Sequence, residues 1–452
     1  MLKRFNLLLV LVSFFSSCKK TESTIDVKSK SLHEANEYLT KTMVYDIFSP
    51  PVASRIYAYS NIAAYEVIAQ FNSDYVSLEK QLNGLTAPPQ PDSKVIDPSI
   101  AALVAFYEIG RSLVFSEDIL IQKRDSLFQS WKDKNEEVFT VSEAYGLIIA
   151  NHIKDWMQRD NYKETRTMPK FVVQTDDVSR WKPTPPAYMD GIEPNWHKIR
   201  PFVLDSSNQF KPIPPPEFSM EPGSIFHKQL MEVYEVRNEM GKSENKDEKM
   251  AIAKFWDCNP YVSVNKGHLM FATKKITPGG HWIGITQIAC EKTGADMGKS
   301  IYTYTKTSIA IADGFISCWD EKYRSNLVRP ETLINKFINE DWKSVLQTPP
   351  FPEYTSGHSV ISGSAATVLT EIFGDNFEFD DDTEIEYGLP VRSFHSFFHA
   401  SLEAANSRLY GGIHYRAAIE VGLEQGKAVG NYINHNLIMS NKDIEKDNLV
   451  NH

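Results

Sequence analysis

LHEANEYLTKTMVYDIF (residues 32–48) and SRIYAYSNIAAYEVIAQF (54–71) decide the fold class. Apolar residues recur at steps of three and four, the period of one helix face, and the alanines between them allow close helix contact. APPQPDSKVIDP (87–98) breaks the pattern, which returns over 100–115, 117–132 and 142–159. Residues 160–225 are rich in Pro, Trp, Asp and turn formers. A loop this long inside a domain is more often functional than filler. Its Trp196 and Arg200 could line an entrance or belong to a wrap over the bundle. Helical texture resumes at 224–240 and continues with breaks to the C-terminus, and period-two runs are scarce. The expectation is an all-α helical bundle with long connecting loops.

With 452 residues, 42% of them hydrophobic and 23% charged, the chain can bury a large core. No linker, repeat or low-complexity block divides it, so one domain over 31–440 is expected. The net charge of -10 argues against a nucleic-acid partner, because binding a phosphate backbone needs a basic face.

At the N-terminus Lys3 and Arg4 precede LLLVLVSFF, which is too short to span a bilayer and has the length of a signal-peptide core. Ser16 and Ser17 then lead into Cys18. This resembles a bacterial lipoprotein signal, although Phe15 replaces the usual aliphatic residue. Residues 1–18 read as that signal and 19–30 as a flexible tether. The implied location is the periplasmic side or the cell surface, with membrane contact only through Cys18; plain secretion is the alternative. Cys258, Cys290 and Cys318 are odd in number and lack CxxC spacing, so they suggest small buried hydrophobes rather than disulfides or a zinc site.

Chemistry concentrates in residues 319–414. WDEKYRSNLVRP (319–330) holds Lys322 and Arg329 seven apart, which two helical turns would bring to one face, with Pro330 as the break. A solvated helix face is the competing reading. PPFPEYTSGHSV (349–360) places Ser356, Gly357 and His358 before a small-residue helical stretch. Free N–H groups at such a helix start suit an anion, though a simple cap has the same sequence. NSRLYGGIHYR (406–416) sets Arg408 six residues before His414, with Gly411 and Gly412 between them to permit a turn. Three cations, an S-G-H triplet and a second histidine together suit a tetrahedral oxyanion such as phosphate or vanadate.

K-x6-R-P, S-G-H and S-R-x5-H are similar to the three motifs shared by vanadium-dependent haloperoxidases and type 2 phosphatidic acid phosphatases. The resemblance implies that Lys322, Arg329 and Arg408 neutralise the oxyanion while Ser356 and the Gly357 N–H donate to it. His358 would be the acid–base group. His414 would be the axial ligand to vanadium, or in a phosphatase the nucleophile. Trp319 and Phe351 match pocket positions of haloperoxidases, and Tyr261 is a further pocket candidate. SRLYGGIHYR and EPNWHKIRPF look like the bacterial iodoperoxidases of marine flavobacteria. The implied cofactor is vanadate, and the implied substrates are hydrogen peroxide, a halide (iodide first) and an organic acceptor. Ala418 stands where phosphatases carry an aspartate that orients the histidine, which counts against the phosphatase and leaves Asp257 or Glu420 to hold His414.

Other features weigh less. His395 and His399 share a helix face but lack the HExxH pattern, and read as packed or surface residues. FEFDDDTEIEYG (377–388) lacks EF-hand spacing and reads as a solvated loop rather than a calcium site. His268 and His281 look isolated and structural.

Overall fold

α1 (Lys30–Tyr45) and α2 (Pro50–Ala69) form where the three-four pattern predicts them, and the Ser49 hydroxyl caps α2 by accepting the Val52 N–H. The computed structural model describes residues 25–240, 246–266, 269–272, 274–441 and 443, so Cys18 with its leader and His268 lie outside the described residues. The tether expected over 19–30 is described from Ile25 onward, and there Ile25 and Val27 already pack against the core.

Asp97 caps α3 (Pro98–Leu113) by accepting from the Ser99 and Ile100 N–H groups. α4 (Glu117–Lys134) is followed by α5 (Glu136–Met157), which starts at Glu136 rather than at 142 because Asn135 accepts the Val138 N–H. The short α6 (Tyr162–Thr165) opens the long Pro-rich loop, after which come α7 (Ile225–Glu239) and α8 (Lys246–Phe255). An antiparallel hairpin of β1 (Ser263–Lys266) and β2 (Leu269–Ala272) leads to α9 (Pro278–Thr293) and α10 (Met297–Ser325). Then follow α11 (Pro330–Phe337), α12 (Gly357–Phe373), the antiparallel pair β3 (Phe379–Asp381) and β4 (Arg392–Phe394), α13 (Phe397–Tyr410) and α14 (Arg416–Asn436). The chain is thus mostly helical, as expected. Among the described residues no helix is long and apolar enough to cross a membrane.

α2, α3 and α5 pack on one another, α12 packs on α13 and α14, and α10 touches both α2 and α12. One core cluster runs through both groups from Leu32 to Met439. The α12–α14 seam is tight because α14 presents Gly422, Gly426 and Gly430 at four-residue steps. A Cβ on Gly426 would lie 2.1 Å from the Val360 carbonyl oxygen, so only glycine permits this approach.

The loop over 160–224 is a wrap, not an entrance. Trp196 is fully buried, and Arg200 lies over the Trp156 ring at 4.5 Å with its guanidinium on the Trp156 carbonyl. Asp313, in the middle of α10 and fully buried, fastens this loop. Its carboxylate accepts the N–H groups of Phe202 (2.7 Å), Val203 (2.7 Å) and Leu204 (3.1 Å). Replacing it with Ala leaves three buried donors unsatisfied. Asp313→Ala should therefore lower the unfolding free energy by about 2–4 kcal/mol and Asp313→Asn by less. Urea denaturation checks this, and a loss below about 1 kcal/mol for the Ala variant would contradict it.

Candidate active site

Lys322 and Arg329 do meet, but not along a helix. α10 ends at Ser325, and Asn326 takes a left-handed conformation (φ 48°), so the break falls before the arginine rather than after it. The link from Asn326 to Val328 is held by the long loop, where the Trp181 N–H donates to the Asn326 carbonyl (3.0 Å) and the Val328 N–H to the Ser179 carbonyl (3.0 Å). Arg329 then sits at the N-cap of α11. Two-turn spacing correctly pairs the residues for the wrong reason.

All three cations are fully buried, and backbone carbonyls receive them. Lys322 Nζ donates to the carbonyls of Pro352 (3.1 Å), Glu353 (3.1 Å) and Thr355 (2.5 Å). Arg329 Nε donates to the Phe351 carbonyl (3.0 Å) and Nη1 to the Ile413 carbonyl (2.9 Å), while Nη2 is buried without a partner. Arg408 Nη2 donates to the Trp256 carbonyl (2.7 Å). Burial, reinforced by the Arg329 charge, pulls the Lys322 ammonium down to about 8; burial likewise lowers Arg329 to about 10.

Ser356 is the N-cap of α12, its hydroxyl oxygen accepting the Ser359 N–H (3.3 Å), with its own O–H as the remaining donor. A Cβ on Gly357 would lie 3.6 Å from the Trp319 ring and 4.0 Å from Lys322 Cε, within the space beside the ammonium. The glycine keeps that space and its backbone N–H open. His358 hydrogen-bonds the Trp256 backbone through one ring nitrogen and leaves Nε2 buried and unpartnered. Burial, with the Arg408 charge second, holds its pKa well below the usual histidine value, so the ring is a neutral proton acceptor.

His414 follows the turn at Gly412, whose φ of 77° only glycine adopts freely. Its orienting carboxylate is neither Asp257 nor Glu420. Asp257 pairs with Lys275, and Glu420 is exposed and pairs with Arg416 at 3.4 Å. Glu353, fully buried, takes that role: its Oε1 accepts from His414 Nδ1 (2.7 Å) and from the Tyr415 N–H (2.9 Å). With the proton on Nδ1, Nε2 carries the lone pair and accepts from Arg329 Nη1 (3.1 Å). Burial and the three cations keep His414 neutral, and burial raises the Glu353 carboxyl to about 7. Glu353 sits inside the quoted PEYTSGH stretch, where a lone acid among prolines and small polar residues was the available signal.

Trp319, Phe351, Tyr261, Gly357, His358, Arg408 and His414 line one narrow cleft. Trp319 and Phe351 pack at 4.9 Å between centroids, and the Trp319 indole N–H donates to the Ile192 carbonyl of the long loop (3.1 Å). His395 and His399 stack on one another at the surface, away from this cleft. Unpartnered donors on Arg329, an open glycine N–H and an excess of buried positive charge fit a tetrahedral oxyanion.

Comparison with known proteins agrees with this geometry. Residues 302–440 match the family model described as the VCPO second helical-bundle domain. The solved structure of the first bacterial vanadium-dependent iodoperoxidase is 59% identical, with a TM-score of 0.89 over 93% of this chain and 99% of that one. A holo-type bacterial vanadium-dependent chloroperoxidase shares the fold at 16% identity, with a TM-score of 0.67 over 91% of this chain and 96% of that one. Its apo-type counterpart has a TM-score of 0.63 at 15% identity, over 88% and 95%. No curated protein matches at a significant level. The chain belongs to the vanadium-dependent haloperoxidases. Within that family, the 59% relative is an iodoperoxidase.

Oxyanion affinity should peak between about pH 7, below which Glu353 protonates and the bond from His414 Nδ1–H loses its charge assistance, and about pH 8, above which Lys322 loses its charge. Glu353→Gln should flatten the acid limb, because an amide does not titrate there. Glu353→Ala should weaken binding about 10–100-fold. Orthovanadate titrations across this range check both, and an unchanged acid limb in the Gln variant would contradict the assignment.

Proposed function

We propose that this chain is a vanadium-dependent iodoperoxidase, oxidising iodide with hydrogen peroxide to hypoiodous acid that then iodinates an organic acceptor. What carries the reading is the cationic site built around His414 in a chain 59% identical to a bacterial iodoperoxidase. Lys322, Arg329 and Arg408 would hold the oxygens of vanadate, with Ser356 and the Gly357 N–H as hydrogen-bond donors and His414 Nε2 as ligand to the metal. When bound, vanadate supplies a Lewis-acid centre that makes hydrogen peroxide electrophilic.

The chain's own residues do the rest. His358 Nε2, neutral and unpartnered, accepts the proton that hydrogen peroxide gives up. Lys322, fixed by three carbonyls, keeps positive charge beside the reacting oxygens without reorganising. Trp319, Phe351 and Tyr261 make an apolar wall, which favours iodide as the least strongly hydrated and most easily oxidised common halide. For the N-terminal segment, the signal-like sequence supports export with Cys18 as the lipidated residue; labelled-lipid incorporation lost in Cys18→Ala is the test.

A phosphatase is the second reading, and Glu353 favours it by giving His414 the orienting carboxylate that Ala418 lacks. Peroxide-dependent oxidation of iodide, bromide and chloride, before and after loading with orthovanadate, separates the two when p-nitrophenyl phosphate hydrolysis is measured alongside. Vanadate-dependent iodide oxidation, falling at least about 100-fold in Arg329→Ala, is expected. Phosphate hydrolysis that vanadate inhibits, with no halide oxidation, would overturn the proposal.

A further inference from the structure

The acidic run over 377–388 and His281 are not used by the oxyanion site, yet they meet behind its wall. Asp381 and Glu384 are buried rather than solvated, and His281 is neither isolated nor exposed. His281 Nε2 lies 2.8 Å from Asp381 Oδ2, and Nδ1 lies 3.2 Å from Glu384 Oε1 and 3.5 Å from Cys258 Sγ. The third edge, Cys258 Sγ to Glu384 Oε1, is 3.9 Å. Three donors of metal-ligating type therefore form one triangle, each from a different part of the chain: the turn after α8, the start of α9, and the loop after β3.

The geometry points to a binding site for one divalent transition cation, zinc or cobalt, held by Cys258 Sγ, His281 Nδ1 and Glu384 Oε1. Tetrahedral bonds of about 2.0 Å to nitrogen and oxygen and about 2.3 Å to sulfur put ligand atoms roughly 3.3–3.6 Å apart. The observed edges are close to that, with the sulfur–oxygen edge slightly open. Asp381 on the far ring nitrogen completes the carboxylate–histidine–metal arrangement that fixes tautomer and ring orientation. A thiolate with an imidazole selects against calcium and magnesium, which take oxygen ligands. On binding, the Cys258 S–H bond and the Nδ1–H bond of His281, which Asp381 holds protonated, both break; each electron pair goes to the metal and both protons to solvent.

Such a cation would act on the oxyanion site without touching it. The Trp256 indole stacks on His281 at 4.4 Å, and the Trp256 carbonyl accepts from Arg408 Nη2. Cys258 itself lines the cleft. The cation would pin this turn, and with it the acceptor that positions Arg408 and His358, whichever oxyanion is bound.

The test is metal content of the full chain after supply of zinc and gel filtration, together with the absorption spectrum of cobalt-loaded protein. About one cation per chain is expected in the wild type and in Cys290→Ala, at least about tenfold less in Cys258→Ala, and a thiolate-to-cobalt charge-transfer band in the wild type. Equal metal in the wild type and Cys258→Ala, or wild-type content below about 0.1 per chain, would overturn the proposal. Should Cys258→Ala fail to fold, the wild-type cobalt spectrum decides: the thiolate band supports the site and its absence overturns it.

Discussion

Three cations buried within one cluster are the constraint around which this molecule is arranged. Lys322, Arg329 and Arg408 are out of water, and a buried charge without compensation costs several kcal/mol. The compensation comes mainly from carbonyl dipoles: those of Pro352, Glu353 and Thr355 for Lys322, Phe351 and Ile413 for Arg329, and Trp256 for Arg408. The loops before α12 and α14 are therefore shaped by the cations as much as they position them. The wrap over 160–224 closes the assembly from outside, through Ile192 on Trp319 and Ser179 on Val328.

Glu353 brings a carboxylate to this cluster but commits it to His414 and the Tyr415 N–H, and Asp257, whose charge acts on Arg408, pairs with Lys275. The remaining positive charge needs an anion with several oxygens. The same carboxylate changes the weight of the alternatives. The missing aspartate at Ala418 no longer argues against phosphoryl transfer, because His414 is held in a defined tautomer by another route. Preference for halide oxidation rests instead on the aromatic wall and on the kinship with an iodoperoxidase.

Much of the fold was legible because it depends on local rules. Helix periodicity located α1 through α5 and α7, while the Ser49, Asp97 and Asn135 caps account for their starts. The site residues were legible as types at fixed spacing; Tyr261, Trp319, Phe351, Gly357, His358, Arg408 and His414 line one cleft, while Lys322 and Arg329 are buried beside it. What stayed hidden depends on contacts distant in sequence. Glu353 lies 61 residues from the histidine it orients, and Asp313 more than 100 from the loop it fastens. Cys258, His281 and Glu384 share no motif spacing, so neither the count of cysteines nor the acidic run could reveal their cluster. Arg329 illustrates a different failure: helical period places it correctly only because a left-handed Asn326 and an extended link replace the second turn.

Stoichiometric binding of orthovanadate, followed by thermal unfolding of the chain with and without Arg408→Ala, tests the central claim most directly. If the buried cations await an oxyanion, one vanadate per chain should stabilise the wild type by about 2.7 kcal/mol at a hundredfold excess over its dissociation constant. The arginine variant should lose most of that gain. Unfolding of the wild type that is indifferent to vanadate would contradict the account, because the cationic cluster would then be satisfied by its carbonyls and Glu353 alone.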